Sequence, residues 1–170
     1  MEVYKLNYCN ILHDDMLNGD NLGVVLFVSG CKHFCKECQN KDLTWDFNGG
    51  IAFDENAKKE IFKELEKKYI FRITYSGGCP LCMPNREVVT ELAEEIKHKY
   101  PNIKQWCYCG EIWEDIKYLP IMQYIDVLVD GKFVQELADV NYHWAGSTNQ
   151  RVIDVKKSLE QGEVVLWRTK

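Results

Sequence analysis

The sequence is short of several features that would each fix a class. No stretch of its 170 residues approaches the roughly 18 consecutive apolar residues of a membrane span, so no membrane association is expected. The opening Met1-Glu2-Val3-Tyr4-Lys5-Leu6-Asn7 lacks the basic start and apolar stretch of an export signal, which points to a cytoplasmic protein with reduced thiols. Positive charge is not in excess either. Lys+Arg 21 against Asp+Glu 26 gives a formal charge of -5, which offers no footprint for a polyanion and argues against nucleic acid as a partner. Proline is scarce at four residues, with no Pro/Ser-rich linker, repeat or low-complexity tract, so one continuous domain over residues 1–170 is expected.

What is present is an alternation of strands and helices. Gly23-Val24-Val25-Leu26-Phe27-Val28-Ser29 is an apolar, β-branched run bounded by glycines, as in a buried parallel strand. Turns are marked at Asn18-Gly19-Asp20-Asn21 and Asn48-Gly49-Gly50. Asp54 can cap a helix running through Tyr69, with Ala57, Ile61, Leu65 and Lys68 at helical spacing. There follow a strand Ile70 to Ser76, a helix Asn85 to Lys99, a strand Lys104 to Cys109, a weak helix Ile112 to Leu119 and a strand Ile125 to Asp130. A loop-rich stretch then leads to strand Gln150 to Val155 and, after Gly162, to Val164-Val165-Leu166-Trp167. Such alternation predicts an α/β fold with mainly parallel strands and right-handed crossovers, and the chain is too short for a full eight-unit barrel of about 250 residues. An open or partial (βα) barrel is the expectation. Functional groups in such folds lie at the carboxyl ends of the strands, and Cys31, Gly77-Gly78, Cys109-Gly110 and Asp130-Gly131 fall there.

Eight cysteines are many for this length. Cys31-x3-Cys35-x2-Cys38 puts three thiols on one loop directly after the first strand. A [4Fe-4S] cluster usually takes four cysteines, so a three-cysteine loop would leave one iron open to another ligand. The residues alone also allow a zinc site completed by His33, or thiols without a metal.

With Ser76-Gly77-Gly78 after the second strand, the pattern resembles the radical S-adenosylmethionine superfamily. Within it, Val25 to Cys31, Cys38-Gln39-Asn40, Ser76 to Leu81, Trp106-Cys107-Tyr108-Cys109-Gly110, Asp126 to Phe133 and Gly146-Ser147-Thr148-Asn149-Gln150-Arg151 follow the order seen in anaerobic ribonucleoside-triphosphate reductase activating proteins. The resemblance runs from about Asn18 to Asp154. It implies a fold of radical S-adenosylmethionine type and a [4Fe-4S] cluster on Cys31, Cys35 and Cys38. Reductive cleavage of S-adenosylmethionine to a 5'-deoxyadenosyl radical then generates a glycyl radical on the large catalytic subunit of the reductase. No protein acid or base is required for that step. The resemblance further implies cofactor contacts at Glu37, Cys38, Gln39, Gly77, Gly78 and Cys79, with Asn149 and Arg151 as candidates for its carboxylate or for a partner contact. A flavodoxin or ferredoxin would donate the electron, and similar proteins can dimerise. Competing readings are an activase of another glycyl-radical enzyme, a non-catalytic metal-binding or electron-transfer module, and a binding subunit that has lost turnover.

One departure stands out. Similar proteins usually carry Asp or Glu after the double glycine, where this chain has Cys79. Cys82 lies three residues on, and Cys107 and Cys109 share one strand face by the period of two. An additional iron-sulfur or zinc site on Cys79, Cys82, Cys107 and Cys109, unliganded thiols, and a redox-active Cys79/Cys82 pair all remain open at this level.

Overall fold

The computed structural model describes residues 5–168, so Met1 to Tyr4 of the opening segment lie outside the described residues. The first strand is one the sequence reading did not anticipate: β1 (Asn7–Asp15) runs antiparallel to β2 (Gly23–Val28). Its apolar signal is thin because most of its residues are only partly buried, whereas Val24, Val25, Leu26 and Val28 of β2 are fully buried. A short helix α1 (Lys41–Thr44) and a two-residue edge strand β3 (Ile51–Ala52) precede α2 (Glu55–Leu65). Asp54 caps α2 by accepting from the N–H groups of Asn56 and Ala57 at 2.9 Å each, and Ala57, Ile61 and Leu65 form its buried stripe. The helix stops short of Tyr69 because tight turns take over, with Lys67 N–H bonding Glu64 O and Ile70 N–H bonding Lys67 O.

The chain continues through β4 (Arg72–Gly77), α3 (Asn85–Lys99), β5 (Lys104–Tyr108), the one-turn α4 (Trp113–Ile116) and β6 (Val127–Asp130). It ends in β7 (Arg151–Asp154) and α5 (Val155–Gln161), a helix the sequence reading missed. Asp154 caps α5 through Lys157 N–H, and Gly162 closes it in the left-handed region at φ 74°. Val164–Trp167 is not a full strand. Leu166 makes a single bridge to Ile153, since Trp167 turns onto the sheet face instead.

The strands form one seven-stranded sheet of order β3-β1-β2-β4-β5-β6-β7. The four middle strands β2, β4, β5 and β6 are parallel, β1 and β7 run against them, and β3 pairs antiparallel to β1. The expectation of mainly parallel strands therefore holds for the centre and is corrected at the edges. β7 reverses because the segment after β6 returns without a long crossover helix. Successive parallel strands are added on the same side, and with right-handed crossovers this winding sends α2 and α3 to one face. Their apolar residues share a core with Val24, Leu26, Val28, Ile73, Tyr75, Cys107 and Leu128. Among the described residues no helix is long and apolar enough to cross a membrane.

The opposite sheet face is covered without helices. Trp106, Val127 and Val129 pack there under Trp144 and Trp167, whose rings meet Trp106 edge-on at 5.9 and 6.0 Å. Beside them Arg72 is wholly buried. Its guanidinium donates to the Asp15 carboxylate at 2.8 Å and carbonyl at 2.9 Å, to the carbonyls of Asp20 and Asn21, and to Thr74. Burial alone would raise the Asp15 carboxyl, but hydrogen bonds from Arg72 and Asn18 outweigh it and hold the group below its ordinary value. A depressed carboxylate contributes stability above its unfolded-state value, and the contribution is lost as pH falls through its folded value. Arg72→Ala leaves Asp15 buried without its cation and is expected to cost about 3–5 kcal/mol in urea unfolding at neutral pH. The variant should also lose part of the acid-side fall in stability that the parent shows.

Candidate iron-sulfur and cofactor site

The loop carrying the three thiols leaves β2 at Gly30. This residue sits at φ 96°, and a Cβ there would lie 2.0 Å from the Phe47 ring, so only glycine fits. The root of the loop is fixed by backbone bonds from Gly30 N–H to Thr44 O and from Cys31 N–H to Trp45 O, which fold α1 back beneath it. Inside the loop Phe34 and Glu37 take left-handed conformations at φ 49° and 55°, which turn the chain between successive cysteines. Cys31, Cys35 and Cys38 are free, half-buried thiols. They line one cavity of about 140 Å³ together with Gly77, Gly78, Tyr108 and Lys132.

These residues fit an iron-sulfur cluster better than a single ion. Two sulfurs bound to one zinc at about 2.3 Å stand at most about 4.6 Å apart, whereas in a cubane each thiolate holds its own iron. The set that the described residues bring within 4.8 Å is His33, Cys79 and Cys109, and the loop cysteines do not belong to it. His33 thus does not complete a zinc site with them. The Cys31 thiol is raised far above its ordinary value by its contact with Cys82 and by burial, and Cys35 is raised by burial. Both hold their protons until a metal supplies compensating charge.

Gly77 and Gly78 owe their identity to the protein's own backbone. A Cβ on Gly77 would lie 2.6 Å from Val28 O, and one on Gly78 would lie 2.4 Å from Gly30 O. The turn is clamped by Asn85, whose side-chain amide donates to Ser29 O at 2.8 Å, Cys79 O at 3.1 Å and Gly30 O at 3.4 Å. Asn40 reaches Gly77 O from the cluster loop. Sequence reading missed both asparagines. The available signal was an asparagine opening a helix, whose side chain is free to bond a neighbouring loop instead of its own backbone.

The remaining expected residues are distributed around this cavity. Gln39 lines a neighbouring hollow with Tyr108 and Phe133, and Glu37 lies exposed on the loop. Asn149 and Arg151 line a third cavity of about 700 Å³ that shares Gly110, Gly131 and Lys132 with the first. Asn149 donates to Lys132 O at 2.8 Å. Arg151 is held by Asp130 and, in a two-pronged pair at 3.1 and 2.8 Å, by Glu114. Asp130 also caps α4 through Trp113 N–H at 2.7 Å. Gln150, not singled out from sequence, accepts from Gly146 and Ser147 and donates to Gly131 O, closing the loop around the cavity. Cys79 and Cys109 border the thiol cavity with their sulfurs 3.5 Å apart, while Cys82 and Cys107 are fully buried.

A three-thiol loop at the carboxyl edge of a parallel sheet defines an iron-sulfur protein, and the family model described as a 4Fe-4S single cluster domain matches residues 17–153. Three relatives narrow the class. The chain is 40% identical over 147 residues to the anaerobic ribonucleoside-triphosphate reductase-activating protein of Enterobacteria phage T4, covering 86% of this chain and 93% of that one. It is 38% identical over 151 residues to the protein of the same name from Pasteurella multocida (85% and 95% covered) and 36% over 151 residues to that of Escherichia coli (86% and 97%). The chain belongs to the family of anaerobic ribonucleoside-triphosphate reductase-activating proteins, enzymes that activate their reductase.

Two outcomes follow from this geometry. Gly78→Ala forces a methyl group onto the Gly30 carbonyl, and an overpacking cost of about 1–3 kcal/mol is expected. The displaced loop should show as lower iron content after anaerobic reconstitution. Arg151 holds the Glu114 carboxyl down at about 2. Titration of Glu114 by carbon NMR should show that low midpoint in the parent, and a return to the ordinary carboxylate range in Arg151→Gln.

Proposed function

We propose that this chain reductively cleaves S-adenosylmethionine and installs a glycyl radical on the large subunit of an anaerobic ribonucleoside-triphosphate reductase. The observation that carries this reading is one cavity at the carboxyl edge of a parallel sheet, lined by three loop thiols and a double-glycine turn. The family supports it through the reductase named as the target of the relatives. Cys31, Cys35 and Cys38 hold the cluster. A cluster held there would supply an iron position open to S-adenosylmethionine and the electron for breaking its sulfur-carbon bond, which would give methionine and a 5'-deoxyadenosyl radical able to take hydrogen from glycine.

The chain's own residues position and shield the reactants. Gly77 and Gly78 bring bare backbone to the cavity wall, and Glu37 and Gln39 flank the third ligand, where backbone groups can meet the cofactor. Cys79 contributes its backbone here, since a thiol cannot replace a carboxylate as acceptor from an ammonium. Asn149 and Arg151 receive the carboxylate, with the half-exposed Glu114 as the partner it displaces. Phe34 stands 61% exposed beside the loop, against the edge of Trp45, and gives a reductase surface or a flavodoxin- or ferredoxin-type donor an apolar foothold.

Anaerobic incubation of the cluster-loaded chain with dithionite and S-adenosylmethionine should yield methionine and 5'-deoxyadenosine. Adding a cognate large subunit should give a glycyl-radical signal by electron paramagnetic resonance. Cys35→Ala should abolish both, and a loaded parent chain that releases neither product overturns the proposal. Arg151→Gln should raise the KM for S-adenosylmethionine more than it lowers kcat.

A further inference from the structure

Behind the cluster loop lies a second constellation that iron-sulfur chemistry leaves unused. It gathers residues from three separate segments: His33 of the loop, Cys79 and Cys82 of the turn after β4, and Cys109 just beyond β5. The ligand atoms of His33, Cys79 and Cys109 all lie within 4.8 Å of one another. Cys79 Sγ is 3.5 Å from Cys109 Sγ, and Cys82 Sγ is 3.7 Å from His33 Nε2. In a tetrahedron with metal-sulfur bonds of about 2.3 Å and a metal-nitrogen bond of about 2.0 Å, the edges are about 3.5–3.8 Å. The Cys79–Cys109 and Cys82–His33 pairs already have that spacing, and Cys82, outside the 4.8 Å set, joins the other three through its contact with His33.

Two further features are those of a built site. Backbone N–H groups point at the sulfurs, from Glu111 to Cys109 at 3.3 Å, from Gly110 to Cys79 and from Lys32 to Cys82, the outer contacts that orient metal thiolates. The ring of His33 also reaches the group only because residue 110 is glycine. A Cβ there would lie 2.4 Å from His33 Cδ2. Cys107 stands apart, fully buried, with its thiol directed to the Tyr108 carbonyl.

We infer that His33, Cys79, Cys82 and Cys109 form a tetrahedral site for one divalent cation of the zinc class. Binding makes three metal-sulfur bonds and one metal-nitrogen bond and releases three thiol protons to solvent, with no change of oxidation state. An ion there would staple the cluster loop to the ends of β4 and β5, and would keep Cys79 and Cys109 off the open iron. The inference stands apart from S-adenosylmethionine cleavage, since it concerns separate ligands.

The test uses the full chain, cluster-reconstituted anaerobically, supplied with zinc and washed with a chelator. Metal analysis should find one zinc per chain beside the iron. X-ray absorption at the zinc edge should show three sulfurs at about 2.3 Å and one nitrogen at about 2.0 Å. Cobalt(II) in its place should give the ligand-field bands of a tetrahedral thiolate site. Cys109→Ser should weaken zinc binding at least ~10-fold, whereas Cys35→Ala, which removes the cluster, should keep the zinc. The edge spectrum of the parent chain decides the matter even where a variant fails to fold. Absence of retained zinc, a four-sulfur environment without His33, or a Cys79–Cys109 disulfide in the anaerobic protein would each overturn the inference. Zinc-free protein that still cleaves S-adenosylmethionine sinks this site alone, and zinc-loaded protein that cleaves none sinks the proposed activity alone.

Discussion

The working edge of this molecule depends on a contact between two stretches of bare backbone. β2 and β4 run parallel with Val28 opposite Gly77, so both strands end together. Gly78 N–H then bonds Val28 O and Cys79 N–H bonds Gly30 O, each at 2.8 Å, at an approach that no side chain could enter. Asn85 saturates the carbonyls at this junction from the start of α3, so the buried polar groups find partners. The thiol loop grows from one side of the contact and the glycine turn from the other. Their mutual position is therefore set by strand register, the least adjustable feature of a sheet with both faces covered.

The two faces are covered by different means, and this bears on the site. Helices seal one face with aliphatic side chains, a non-directional solution. The other is closed by polar pins. Arg72 gathers the carbonyls and carboxylate of the Asp15–Asn21 turn, while Asp20 accepts from the indole N–H groups of Trp144 and Trp167 at 2.9 and 2.8 Å. Because Trp144 belongs to the loop-rich return between β6 and β7, these pins also place the segment holding Phe133 and Gln150, which lines the thiol cavity. Directional bonds suit this task, since a loop without regular structure cannot be located by apolar contact alone.

The sequence was most informative where one residue type carries one message. The apolar run of β2, the Asp54 cap, the limits of α3 and the cysteine spacing after β2 all rest on local rules, and each has its counterpart in the structure. Features that require two distant segments to meet could not be read. β1 carries a thin apolar signal because most of its residues are only partly buried, and no local pattern marks Arg72 for complete burial. The sequence offers Gly77 and Gly78 as backbone open to a cofactor but does not reveal that their missing side chains also make room for the Val28 and Gly30 carbonyls. From sequence His33 offers itself only to the loop thiols, whereas its neighbours in space are Gly110 and Cys82, far from it in sequence.

Thiol count could not sort the cysteines into roles, but charge and distance do. Lys132 lines the thiol cavity in the segment that Asn149 and Gln150 hold down. Its positive charge works on two groups at once. Burial raises the Cys35 thiol, and the Phe133 N–H and Lys132 both pull against that rise, favouring thiolate. Burial lowers His33, Glu111 pulls it back up, and Lys132 with Lys32 pushes it down again, favouring the neutral ring. Thiolate sulfur and neutral imidazole are the forms that bind metal. Lys132 thus pushes a cysteine and a histidine of the same loop toward the forms that bind metal, which a carboxylate in the same position would not do.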